Sequence, residues 1–432
     1  MIQNAAYTGE TRLTYRWMYV VLGTILMMCL GTVYAWSVFR IPVEQTFSVG
    51  TTLSGLPYMV SLASYALFML ISGRYLNRFS PRLIMTVGAL LIAAGWIGSS
   101  FATNIYLLTL TYGVVSGAGV GIAYGVPLVV AAKWFPDKKG LAVGMVLVGF
   151  GLSPLVTAPL ARQLIELYGV IQTFKIMGAA FGVIIPLLAL PLAYPSEQWT
   201  QDQQINQSNR LTSGADTTQG RHLKRQMEYP SAAMLKMKSF KILYITFLIG
   251  AMIGLMLIGM TGKIAIEWVG LSQASAALLM SFFAVFNGLG RPVFGWLTDR
   301  VSFRRAAILS FTSIAFASLL MIFSKGSSSI AFGLAFSIFW FNLGGWLAIA
   351  PASTLSMFGS LHYSQNYGIV FTAYGIGAVV GVVGSGILVD WFGGYVMVFY
   401  LVLALSAIGS LTVKLADCVP NQHGTGMEKC DG

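Results

Sequence analysis

One arginine, at position 291, interrupts an otherwise apolar stretch, FFAVFNGLGRPVFGW over residues 282–296. A guanidinium near the centre of a membrane helix costs about 2.5–3.5 kcal/mol on insertion scales, so it persists only where it faces a protein interior or a water-filled cavity. Arg291 precedes Asp299 by about 12 Å of helix, at about 1.5 Å of rise per residue, which sets it well inside the apolar run. Its planar fork of donors matches a carboxylate through two parallel hydrogen bonds, so the chemistry it offers is anion capture. The competing reading, an internal ion pair that fixes helix packing, needs a buried acid. All 14 acidic residues fall in loops, tails or the ends of apolar runs.

Asn287 lies one helical turn before Arg291 and shares its face, where it can orient the guanidinium or bond a ligand. Tyr34, Tyr124, Phe150, Trp346 and Tyr374 fall in five other apolar runs. Aromatic edges and phenols enclose a small anion without offering a competing charge, although core packing explains each of them as well. Trp36, near the end of a run, reads as an interfacial belt residue, and Lys263 as a side chain that snorkels from a helix end. With no acid beside Arg291, proton coupling through an in-membrane carboxylate lacks support, and exchange or facilitated transport fits better. Glu44, Glu166, Glu267 and Asp390 are the acids left for a protonation role near the outer face.

The remaining chemistry is sparse. The three histidines lie in loops or tails, Cys29 reads as packing, and Cys418 and Cys430 lie in the tail at no spacing that suggests zinc or a disulfide framework. No nucleophile–histidine pair, metal cluster or phosphate loop is present, so neither an enzyme nor a bound metal or cofactor is expected.

The elements that must position these residues follow from composition. Hydrophobic residues make up 56% of the chain, charged residues 9%, and mean hydropathy is +0.75; a soluble domain has about 25% charged residues. Apolar runs long enough for a bilayer core of about 30 Å recur. They lie near 17–39, 52–73, 83–101, 105–132, 140–163 and 172–193, then 240–262, 274–297, 306–323, 327–350, 367–389 and 395–414. This predicts an all-α membrane protein of twelve spanning helices in two pseudo-symmetric six-helix bundles.

The formal net charge of +12 is a matter of topology and not of nucleic acid. Most of the 26 lysines and arginines sit in alternate loops, among them Arg74, Arg78, Arg82, Lys133, Lys138, Lys139, Arg300, Arg304 and Arg305. Positive charge retained inside places those loops and both termini in the cytoplasm of a multi-pass protein, with a prokaryotic plasma membrane the expected setting. Residues 1–194 form the first bundle, 195–239 a polar, flexible cytoplasmic linker, 240–414 the second bundle and 415–432 a tail. The halves repeat: the turn at Gly73 matches that at Gly295, and Pro127 and Gly169 stand at the same separation from Pro351 and Gly393. Phe150 and Tyr374 share that separation, which sets them opposite one another across a pseudo-twofold axis. Duplicated six-helix units place a binding site between the halves.

These features resemble a family. The Gly-x-x-x-Asn/Asp-Arg turns are similar to the signature loop of the major facilitator superfamily. Within it, GTVYAWSVF (31–39), YGVPLVVAAKWFPDKKGLAVG (124–144), NGLGRPVFGWLTDR (287–300) and NYGIVFTAYGIG (366–377) resemble the oxalate/formate antiporter family. The resemblance implies a carrier of organic anions, working by alternating access as a monomer in the bilayer, with an arginine in the eighth helix gripping a carboxylate. Arg291 holds that position. Carriers of oxalate in this family have a lysine in helix eleven, and here Tyr374 stands in its place, in Thr-Ala-Tyr-Gly. One fixed cation plus a phenol suits a monocarboxylate better than a dianion. Arg74, Asn77, Arg78, Asp299, Arg300 and Arg304 would form the cytoplasmic gate. Two rivals remain at this point: a drug or metabolite exporter of the same fold, and a membrane receptor that does not transport.

Overall fold

Short-range chemistry sets the helix starts. Ser80, Asn104, Ser272 and Ser328 each accept a hydrogen bond from an amide three residues on, at 2.9–3.3 Å, satisfying a first-turn donor that the helix itself cannot. The computed structural model describes residues 9–76, 78–135, 139–195, 228–359 and 362–414. Among these, α1 (Arg16–Phe47), α2 (Thr51–Ser72), α3 (Pro81–Ser99) and α4 (Ile105–Trp134) are long and apolar enough to cross a membrane. The segment Gly140–Ala189 turns at Gly169, whose φ of +77° is a conformation glycine adopts without steric cost, and so divides into α5 (140–168) and α6 (170–189). The second half supplies α7 (Lys238–Trp268), α8 (Gln273–Val301), α9 (Phe303–Ser324), α10 (Ser329–Phe358), α11 (Gln365–Phe392) and α12 (Val396–Lys414).

The internal repeat is also present in the backbone. Gly393, the counterpart of Gly169, closes α11 at φ +64°, while Pro127 and Pro351 both sit inside helices, α4 and α10. Several helices run past the expected limits, α1 to Phe47 and α10 to Phe358, because a helix satisfies its own backbone and need not stop where apolar residues do. Trp36 differs from expectation. It is fully buried, its ring 4.6 Å from that of Tyr112, and its indole donates to the Ser54 carbonyl at 3.2 Å. The helix continues beyond it, so it packs inside the first half and not at the membrane interface.

The halves meet at several helix pairs, two of them packed closely through glycine. In one, α2 lies along α11, with Ala66 against Gly375 and Leu70 against Gly368. In the other, α5 lies along α8: a Cβ on Gly151 would stand 2.6 Å from Asn287 Oδ1 and 3.0 Å from the Gly288 nitrogen. Within the interval read as linker, residues 196–227 lie outside the described residues. The stretch that follows holds a short helix, Ser231–Met234, and docks on the second half: the Tyr229 amide donates to the Phe358 carbonyl, and Asn366 bonds Tyr229 and Ser231.

The roll of α8 is set by its crossing with α10. A Cβ on Gly290 would lie 2.0 Å from the Phe341 carbonyl oxygen, and one on Gly344 2.0 Å from that of Asn287. Gly333, on the same α10, faces open space. Overpacking costs about 1–3 kcal/mol and more against rigid backbone. Gly344→Val is therefore expected to lower the melting temperature and the monodisperse yield in detergent, while Gly333→Val leaves both near the parent values.

Candidate functional site

The close approach of α5 and α8 puts Phe150 beside Arg291. The guanidinium carbon stands 5.7 Å from the centre of the Phe150 ring, within range of a cation–π attraction. Arg291 is 3% exposed, and its Nε, Nη1 and Nη2 all lack a hydrogen-bond partner. No described carboxylate pairs with it. A buried cation left in this state is costly unless something else completes its shell.

Aromatic side chains from both halves surround that position. Tyr34 lies in a five-residue 3-10 turn of α1, Gly31–Ala35, and its ring is 5.2 Å from that of Phe150. Its hydroxyl bonds that of Tyr374 on α11 at 2.7 Å, a hydrogen bond between the two halves. Such a pair uses one of the two hydroxyl protons and leaves the other free to donate. Tyr124 of α4 is 5.4 Å from Phe150, ring to ring. Of the residues singled out by sequence, Arg291, Tyr34, Tyr124, Phe150 and Tyr374 are brought together.

Two others sit elsewhere in the packing. Asn287 donates to the Trp340 carbonyl on α10 at 3.0 Å, and its Oδ1 lies unpaired against Gly151. Trp346 is buried inside the second half, its ring 5.0 Å from Phe311 of α9 and its indole nitrogen against Gly250 of α7. The structure adds Tyr65 of α2, whose ring is 5.1 Å from Tyr124, 6.0 Å from Phe150 and 5.8 Å from Tyr374. It also adds Phe371, 4.9 Å from Tyr374 and 5.3 Å from Tyr65, with Tyr367 one turn before it. A signal for these existed. Tyr367, Phe371 and Tyr374 follow helical spacing on α11, as Tyr58, Leu62 and Tyr65 do on α2, and each stripe lines one face.

At the arginine-rich end a cleft of about 210 Å³ opens between the halves, lined by Leu70, Gly73 and Arg74 on one side and Ser231, Gln365 and Ile369 on the other. Arg74, Arg78, Asp299, Arg300 and Arg304 are exposed there, and Asn77 lies outside the described residues. At the opposite end Lys263 does not snorkel: it is 4% exposed, and its ammonium lies 2.7 Å from Glu44 of the other half. A nearby acid and a closed helix end hold it inward.

Comparison with known proteins follows the same lines. Residues 17–355 and 242–424 match the family model described as Major Facilitator Superfamily. The chain is 27% identical over 381 residues to the oxalate:formate antiporter of Oxalobacter formigenes, covering 88% of this chain and 86% of that one. It is 26% identical over 371 residues to human monocarboxylate transporter 12, covering 82% and 70%. A D-xylose–proton symporter superposes with a TM-score of 0.69 at 13% identity, over 95% of this chain and 99% of that one. A bacterial homologue of the human lysosomal transporter Spinster, inward-facing and unoccupied, gives 0.67 at 14%, over 95% and 98%.

An unpaired buried charge makes a test possible without knowledge of any ligand. Arg291→Gln removes the desolvated cation, so ligand-free protein is expected to melt about 2 °C or more above the parent. A structural arginine would give the reverse, a lower melting temperature.

Proposed function

The chain belongs to the major facilitator superfamily, and from that premise we propose that it carries a small carboxylate anion across the membrane by alternating access. The observation that carries this reading is the buried guanidinium with three unpartnered nitrogens, faced by phenols and phenylalanine rings. The phenols nearby include the Tyr34–Tyr374 hydroxyl pair, and no described carboxylate pairs with the guanidinium. A carboxylate is acceptor-only and singly charged, and so complements that set. The similarity to an oxalate:formate antiporter and to a monocarboxylate transporter supports the same substrate class.

Arg291 takes the carboxylate in two parallel hydrogen bonds, and the Tyr34–Tyr374 pair supplies a third donor. Tyr65, Tyr124, Phe150 and Phe371 exclude water, which strengthens the charge–charge attraction. Because Tyr34 and Tyr374 belong to different halves, the bound anion touches both bundles and favours their closure about it. A single cation fits formate, lactate or pyruvate better than oxalate. The arginine-rich end faces the cytoplasm, and its basic turns line the way in on that side.

The deciding measurement is counterflow of labelled formate, oxalate, lactate and pyruvate in liposomes. Removing one partner of a buried charge pair costs about 2–5 kcal/mol, so Arg291→Gln is expected to reduce saturable exchange by about 30-fold or more. Normal exchange by that variant would leave Arg291 structural and bring forward an exporter of neutral compounds. Tyr374→Lys adds a second cation and is expected to raise the preference for oxalate over formate by about tenfold, roughly 1.4 kcal/mol of new attraction. Unchanged preference would remove Tyr374 from the site.

A further inference from the structure

At the end away from the arginine-rich turns, a buried polar cluster joins the halves. Arg40 of α1, 1% exposed, donates to Ser54 Oγ at 3.0 Å, to the Thr51 carbonyl at 2.6 Å and, across the seam, to the Gly259 carbonyl of α7 at 3.0 Å. Glu44, one turn along α1, receives the Lys263 ammonium of α7 at 2.7 and 2.8 Å. Lys263 also donates to the Thr51 hydroxyl. Asp390, at the end of α11, accepts from the amides of Thr51 and Thr52 at 3.2 and 3.0 Å and from the Thr52 hydroxyl, so the second half caps the first turn of α2. Every one of these cross-seam bonds must break for this end to open.

Breaking a buried ion pair is expensive when it strands two charges. Here each partner has a second one on its own helix. Arg40 Nε is 3.9 Å from Glu44, and Lys263 is 3.7 Å from Glu267, both pairs four residues apart. Glu267 is half exposed and receives the Tyr395 hydroxyl, so it is held in place within the second half. Each half thus carries its own neutralising pair. Basic-before-acidic order is the weaker arrangement for such helical pairs, which suits an alternative partner better than a permanent one. The backbone after Lys263 is a π-helical turn, Ile264–Trp268, an irregularity found often at functional positions.

We propose that Glu44 and Lys263 are the moving contact of an outer gate that works by partner exchange. With the gate closed they pair across the seam, as in this structure; with it open, Glu44 turns to Arg40 and Lys263 to Glu267. The exchange leaves neither charge stranded, so the two states stay close in energy and the carrier turns over. Asp390 and Thr51–Thr52 form the second, purely hydrogen-bonded part of the seal. The mechanism rests on the reading of this chain as an alternating-access carrier, but its test needs no substrate, so the two stand or fall separately.

The reporter is Val382→Cys on α11, 1% exposed and set against Gly55 of α2 just inside the cluster. It is placed in a background with Cys29, Cys418 and Cys430 changed to serine. The rate of labelling by a membrane-impermeant maleimide, applied to the outer side of right-side-out vesicles, reads the open fraction. Glu44→Gln and Lys263→Gln each remove the cross-seam pair and are expected to speed labelling by about tenfold. Lys263→Arg keeps the pair and the parent rate, provided the variant retains the parent's monodisperse profile. The double exchange Glu44→Lys with Lys263→Glu is the sharper arm. It rebuilds the pair across the seam but sets like charges beside Arg40 and beside Glu267, so opening loses its alternative partners and labelling falls below the parent rate. Parent-like labelling in both glutamine variants, or a double exchange that labels as fast as they do, would overturn the mechanism.

Discussion

An unpaired guanidinium in the middle of an apolar bundle governs how the rest of this structure is arranged. The Arg291 charge cannot be placed against lipid, and the described residues give it no acid. Its position is held instead by backbone packing: α8 is locked against α10 by Gly290 and Gly344, and against α5 by Gly151. These contacts leave no room for α8 to roll and move the arginine to another face. The glycines near the centre thus hold the guanidinium in place through geometry.

The aromatic surround follows from the same constraint. In the proposed carrier, fixed carboxylates beside the cation would occupy it and many water-exposed groups would screen it. Phenols and phenylalanine rings avoid both. They also divide between the halves, with Tyr34, Tyr65, Tyr124 and Phe150 on one side and Phe371 and Tyr374 on the other. The Tyr34–Tyr374 hydrogen bond is a direct polar contact between the halves, as is that from the Tyr58 hydroxyl to the Leu255 carbonyl.

Charged residues obey a different logic at the two ends. Those of the arginine-rich turns are exposed, whereas Arg40 and Lys263 are buried and bridge the seam. The second group holds polar contacts across the seam. A sequence reading that sorts cations by loop cannot separate these uses, because Arg40 and Lys263 sit near helix ends like any topological residue. What distinguishes them is a partner from the other half arriving at the same depth, the Gly259 carbonyl at Arg40 and the Glu44 carboxylate at Lys263.

The sequence by itself determined the class, the twelve spans, the duplicated halves and the isolation of Arg291, since these depend on local hydropathy, on loop charge and on equal spacing. It offered Tyr34, Tyr124, Phe150, Trp346 and Tyr374 as candidate walls, and the tertiary structure brings the first three and Tyr374 together. Only the tertiary structure decided that Trp36 and Trp346 pack within their halves and that Asn287 is spent on the Trp340 carbonyl. It likewise brought in Tyr65 and Phe371 and turned Lys263 inward onto Glu44. Each of these depends on how a helix is rolled about its axis and on which neighbour it meets, and roll is fixed by glycine contacts between segments far apart in the chain. Hydropathy reports that a residue is buried. Which partner it is buried against is a property of two helices at once.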